Sequence, residues 1–331
     1  MITAMLVFAC GDDDAAPASP IDGGSEAASD IDGATDAGAS LPPGTTTLAT
    51  GPGVNGIALS ATHVYWTEGA SGAGGAIRRV PLGGGAVEML GTTTARPSGI
   101  AVDATHVYVA TDAKNVVRVP IGGGAAEEIA KAIGTAPNPI VAVAVDANGL
   151  FWLEGGSVRR AQTDGGEPLL IGSTSQETGQ GISLHDGDVW WTSYGANDAS
   201  GRVASTKANA DGGQPTIIYA QAEEQPWGIT SGAGGTFWTS RAGGSIRTKA
   251  PTGSIVSLAS GLATPSAIVL DGTTLWFTVR GPSPAVMKMP VAGGAPAVVV
   301  DATGKELADA IAVDATRVYW SGSGTLYATP K

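Results

Sequence analysis

The side chains best suited to chemistry are few in this chain: three histidines (His63, His106 and His185), one cysteine (Cys10), and acids and arginines at wide spacing. No serine, histidine and aspartate stand in an order that pairs a nucleophile with its base, and no His/Cys set has metal-ligand spacing. The run Asp12-Asp13-Asp14 lacks the glycine and the distal glutamate of a calcium loop. The GGG runs join one extended segment to another instead of opening a helix, so they do not make phosphate loops. What remains is recognition chemistry. Trp227 offers a ring that can stack on a sugar or an aromatic group, and Arg241 and Arg280 carry guanidinium forks that can grip a carboxylate with two parallel hydrogen bonds. Gln180, Asp309, Glu68 and Glu154 complete the candidate ligand-binding set; no catalytic residue and no metal ligand is assigned.

A repeat decides where these residues sit. The eleven-residue unit GIAVDATHVYV begins at Gly99 and is restated without a gap from Gly56, Ala142, Gly181, Gly228, Ala267 and Ala310. Neighbouring starts lie 39 to 47 residues apart, the period of stacked supersecondary units. The second copy reads as four short strands, a at 100–102, b at 107–111, c at 116–119 and d at 125–130, with a DATH turn between a and b and a glycine turn between c and d. Four antiparallel strands per period describe a propeller blade. The seventh unit ends after its strand c, while TTTLATG at 45–51 precedes the first unit as SIVSLASG at 254–261 precedes the sixth. The expected fold is all-β: a seven-bladed β-propeller of four-stranded antiparallel blades over 45–331, its ring closed by an N-terminal outer strand. Closure removes an edge that would otherwise invite pairing with other chains.

Strand b carries two aromatic columns. Tyr65, Tyr108, Phe151, Trp190, Phe237, Trp276 and Tyr319 form the first, and Trp66, Val109, Trp152, Trp191, Trp238, Phe277 and Trp320 form the second. Successive side chains on a strand face opposite sides, so the columns are expected to pack between blades. In a propeller the d–a and b–c loops share one face, here the top, and the a–b and c–d turns share the bottom. All three histidines fall in a–b turns, as solvated turn residues. Asp103, Asp146, Asp271 and Asp314 recur where strand a ends, where Asp closes Asx turns; a calcium ion in the channel is the alternative. On the top face, strand a begins through Asn55, Ser98, Val141, Gln180, Trp227, Ser266 and Asp309, and strand b ends through Glu68, Asp112, Glu154, Tyr194, Arg241 and Arg280. Trp227 breaks the small-or-polar pattern of its position and is expected over the central mouth.

Fifty glycines, twenty prolines and no long 3.6-residue periodicity argue against helices. The net charge of −12 is uneven: eight acids and no Lys or Arg lie in 11–44, leaving 22 acids against 18 bases elsewhere, with no basic face for nucleic acid. Residues 11–44 have almost nothing to bury and read as a disordered Ala/Asp/Gly/Ser/Pro linker. Residues 1–10, MITAMLVFAC, are apolar and end in the only cysteine, too short to span a bilayer as a helix. Val7-Phe8-Ala9-Cys10 resembles the lipobox of bacterial lipoproteins, which implies a signal segment cut before Cys10, lipidation there and anchoring in the cell envelope.

The unit I-A-V-D-x-x-x-V-Y-W, with Tyr65-Trp66-Thr67-Glu68 as its fullest ending, resembles the YWTD repeats of receptor propellers. It is also similar to the NHL and TolB-like propellers of bacterial envelope proteins and to the virginiamycin B lyase propeller. These resemblances imply a scaffold that binds proteins, peptides or small molecules. The lyase resemblance implies an acid–base pair and a divalent cation at the mouth, yet no glutamate–histidine pair can be placed on that face. The expected function is a cell-envelope lipoprotein, monomeric and on the outer membrane, whose top face binds a protein, peptide or glycan. The alternative is a propeller lyase or hydrolase with a cation at its mouth.

Overall fold

The computed structural model describes residues 40–70, 72–133, 140–174, 178–195, 200–210, 217–249 and 254–331, and of 217–222, 308 and 309 the backbone alone. The segment 1–10 with Cys10, and the linker up to residue 39, lie outside the described residues. The described chain forms 28 strands in seven four-stranded antiparallel sheets. Six sheets follow chain order within 54–93, 97–131, 140–173, 178–223, 226–259 and 265–301. The seventh takes Leu307–Val313, Arg317–Gly322 and Thr325–Pro330 as strands a to c, and Thr46–Thr50 as its outer strand. Thr46 opposes Ala328 and Thr50 opposes Thr325, so the ring closes between the two ends of the described chain as expected. In the second blade the strands run Pro97–Val102, His106–Thr111, Asn115–Pro120 and Glu127–Lys131, close to the strands read from sequence.

The aromatic columns fill the spaces between blades. Trp66 shares a core with Tyr319, Trp152 with Tyr108, Trp191 with Phe151, Trp320 with Trp276, and Phe277 with Phe237. Tyr65 and Val109 share the first-to-second interface, and Trp238 packs with the half-buried Trp190 in the fourth-to-fifth. Thus each interface takes the second-column residue of one blade and the first-column residue of the blade before it. Each aromatic ring removed from water contributes about 1.5–3 kcal/mol by area, which makes these columns the main source of ring stability.

Near the axis, crowding sets a second rule. A Cβ at Gly228 would lie 2.5 Å from the Ser266 carbonyl oxygen on the next inner strand, and one at Gly99 would lie 2.9 Å from the Ala142 Cα. Hence the repeat begins with Gly or Ala in every copy. Every strand a also carries a register shift against strand b just before or at this small residue, for example between Pro226 and Ile229 and between Pro265 and Ile268. Such a bulge removes backbone groups from the ladder. In blades four to six a threonine at the end of strand b supplies the missing bond. Thr192, Thr239 and Thr278 accept from the amides of Gly181, Gly228 and Ala267 at 3.0, 2.9 and 3.0 Å. Thr192 and Thr239 then donate to the carbonyls of Trp227 and Ser266 on the next blade.

Blades one to three are joined differently, through arginines of strand c at the bottom. Arg79, Arg118 and Arg160 donate to the carbonyls of Ile121, Thr163 and Ala208, each on the next blade, at 2.6, 2.9 and 2.7 Å. Thr67 and Ser321 occupy the threonine column in blades one and seven, but their buried hydroxyls have no partner. Replacing Thr239 by Val should therefore cost about 1–3 kcal/mol, since it orphans a buried amide and a carbonyl, whereas Thr67→Val should be near neutral or stabilising. Chemical denaturation of both variants checks this; equal losses would refute the bridging role.

Candidate functional site

The top face is built from the ends of strand b and the d–a turns that lead into strand a. In blades five and six the amides of Arg241 and Arg280, just past strand b, donate to the carbonyls of Gln225 and Thr264 at 2.9 and 3.1 Å. Gln225 and Thr264 both hold a left-handed backbone, φ 51°, in the same turn of neighbouring blades. That conformation is costly for a residue other than glycine and collects at sites where geometry matters. Together these turns fix the two arginines on one side of the mouth.

Trp227 begins the inner strand Pro226–Gly232 of blade five. It does not lie open across the mouth, being only 7% exposed. Its ring stacks on Tyr194 of blade four, centroids 6.1 Å apart and planes 17° from parallel, and the Arg241 guanidinium carbon lies 4.1 Å from its centroid. The expected open stacking face at Trp227 is therefore absent, because its neighbours already cover it. A guanidinium desolvated on an indole gains about 0.5–2 kcal/mol and keeps its N–H donors in its own plane, free to meet a ligand edge-on.

The acids of the candidate set are used differently. Glu68 is 5% exposed, pairs with Arg78 of strand c and accepts from the Trp66 indole at 3.3 Å. Glu154 pairs with Arg159 at 2.6 Å. In blade five Glu223 plays the part of Glu68, accepting from the Trp238 indole at 3.1 Å and pairing with Arg247 at 2.8 Å, although it arrives from strand d of blade four. The shared signal, missed in the sequence, is an arginine directly across strands b and c from the second-column tryptophan: Arg78 from Trp66, Arg159 from Trp152, Arg247 from Trp238. Gln180 is buried, Arg280 is half-buried, and the side chain of Asp309 lies outside the described residues.

The bottom face carries the histidines and the recurrent aspartates. Asp103 accepts from the Thr105 and His106 amides at 2.7 and 2.8 Å and from the Tyr108 hydroxyl at 2.8 Å. Asp314 repeats this with Thr316, Arg317 and Tyr319. These are the expected Asx turns, anchored in addition by a first-column tyrosine. His63 and His106 meet the hydroxyls of Thr62 and Thr105 beside them. Among the described residues no group of three or more His, Cys, Asp or Glu side chains converges to hold a metal ion.

No protein-family model matches the sequence, and no curated protein matches it. Solved structures do. A catalytically inactive histidine-to-alanine variant of virginiamycin B lyase from Staphylococcus aureus, with quinupristin, superposes with a TM-score of 0.70 at 16% identity, over 87% of this chain and 99% of that one. The likeness is one of fold. YCF48 bound to D1 peptide gives 0.65 at 11% identity, over 87% of this chain and 96% of that one. A chain of the nidogen/laminin complex gives 0.50 at 20% identity, over 66% and 86%. Propellers of this kind thus include both an enzyme and binding scaffolds.

Burial alone would raise the Asp103 carboxyl, but its hydrogen bonds from Thr105, His106 and Tyr108 outweigh this and hold it below the ordinary range; Asp314 behaves alike. Burial, then the Asp partner, pushes the Tyr108 and Tyr319 phenols upward. Because the folded carboxyls titrate below their unfolded value near 3.9, their contribution is complete above that pH and is lost as pH falls through the folded value. Asp103→Ala should thus cost about 1–3 kcal/mol at neutral pH, with the gap from wild type closing below about pH 4. Urea melts from pH 7 to 2.5 check this; a gap that stays constant would show that the carboxylate charge contributes nothing.

Proposed function

We propose that the protein is a binding scaffold of the bacterial cell envelope, which presents the top face of its propeller to a protein, peptide or glycan. The observation that carries this reading is the stack of Tyr194, Trp227 and Arg241 across blades four and five. Three side chains of recognition type meet there beside a turn held by the left-handed Gln225, whereas the top-face acids Glu68 and Glu154 are tied up in internal ion pairs. The enzyme alternative finds less support. The lyase of similar fold is catalytically inactive as a histidine-to-alanine variant, and the three histidines of this chain lie in a–b turns, at the opposite end of the ring from the stack. YCF48 with its peptide and the nidogen/laminin complex are the binding precedents.

Tethering tests the face. In a Cys10→Ser background, a single cysteine placed at Gly122 (bottom) or at Ala242 (top), both exposed, allows biotin to immobilise the chain in opposite orientations. Envelope peptides and glycans should be captured by the bottom-tethered chain and lost from the top-tethered one. Equal capture would place the site elsewhere, and mass spectrometry showing that a captured ligand had been chemically converted would favour the enzyme.

The envelope location rests on Cys10. The lipobox-like Val7-Phe8-Ala9-Cys10 precedes an acidic linker suited to hold a domain away from a membrane surface. Protein isolated from its native membrane should begin at Cys10 and carry acyl groups; a product that retains Met1 would contradict this.

A further inference from the structure

Resting on the top-face reading above, we infer that the ligand is a peptide and that its recognition group is a carboxylate, gripped edge-on by Arg241. The charges of the top face lead there. Three other arginines close to this face, Arg78, Arg159 and Arg247, each clamp a glutamate of the chain itself. Arg241 has no such partner: among the described residues its guanidinium meets only the Trp227 ring, with no carboxylate or carbonyl acceptor. It is a cation held in place by stacking, with its hydrogen-bond donors unspent. Its backbone is fixed by the Gln225 carbonyl, so the orientation costs little on binding.

The ring position sharpens the chemistry. Strand b ends in an acid in blades one to three, Glu68, Asp112 and Glu154, and in an arginine in blades five and six. Glu68 and Glu154 are neutralised by Arg78 and Arg159, so what sets blade five apart is the unspent fork of Arg241 itself. Arg280 follows Arg241 at the same step of the next blade, its amide held in the same way. A planar carboxylate matches the guanidinium fork in two parallel bonds. A glycan is disfavoured because sugar recognition by stacking needs an open aromatic face, and Trp227 is covered. The carboxylate has two sources, a chain terminus or an Asp or Glu side chain.

The test uses the full chain, labelled, on an array of acidic glycans and on an array of twelve-residue peptides in three matched forms: free C-terminal acid without internal acids, C-terminal amide with internal Asp and Glu, and C-terminal amide with Asn and Gln in their place. Binding should appear on one of the first two forms and be absent from the third, and which form binds identifies the source. For a bound peptide, Arg241→Gln should weaken affinity about 10- to 100-fold, the worth of hydrogen bonds to a charged group. Arg241→Lys should recover only part of it, because the ammonium lacks the planar fork. Lys131→Gln, the same charge change on an exposed strand d, should leave affinity unchanged. Melting curves verify that all variants fold. Equal weakening by Arg241→Gln and Lys131→Gln would reduce the effect to net charge and overturn the inference. Binding of the acid-free amides, or of an acidic glycan array alone, would overturn it while leaving a top-face scaffold standing. Binding to neither array would sink both.

Discussion

Seven inner strands converge on one axis, and the space left between them governs what the rest of the chain can be. A Cβ does not fit at Gly228 or Gly99, so the repeat must begin with a small residue. The bulge that accompanies this crowding takes backbone groups out of the ladder, and buried amides without partners are expensive. A hydroxyl at the end of strand b resolves this in blades four to six, and in blades four and five it also ties the blade to the next. Closure by the outer strand Thr46–Thr50 lets the constraint run round a full ring.

Because the shape is fixed by columns repeated seven times, single blades are free to differ at the top without loss of the fold. Blade five uses that freedom most. Its leading residue is a tryptophan where others are small or polar, its preceding turn is left-handed at Gln225, and its strand b ends in Arg241. Each change is small, yet they converge on one place. The bottom face shows the opposite behaviour: Asp103 and Asp314 repeat the same bonds on different blades, as structural turn residues do.

The architecture was legible in the sequence because it rests on period and column. Repeat spacing gave the blades, the glycine turns gave the hairpins, and the similarity of 45–51 to 254–261 gave the closing strand. The aromatic columns were legible for the same reason, down to the Trp190 position that proves less buried than the rest. What could not be read was pairing between blades. The threonine latch is visible only as a hydroxyl after the second column, at Thr67, Thr192, Thr239, Thr278 and Ser321, and nothing in that pattern separates the bonded from the unbonded ones. The roles of Glu68 and Glu154 were hidden likewise, since their arginine partners lie one strand away and their meeting depends on register. Trp227 stands out in sequence as a departure from its column, but its burial depends on Tyr194 and Arg241, which lie 33 residues before it and 14 after it in sequence.

The central claim is that departures from the repeat on the top of blades four to six form the surface at which this ring meets its partner. Hydrogen exchange of the full chain, with and without a captured partner, tests it most directly. Protection should concentrate in the amides of 223–228, 239–245 and 262–266, while the a–b turns at 60–63, 103–106 and 185–188 exchange as before. Protection of those bottom turns, or of the outer strands alone, would contradict it.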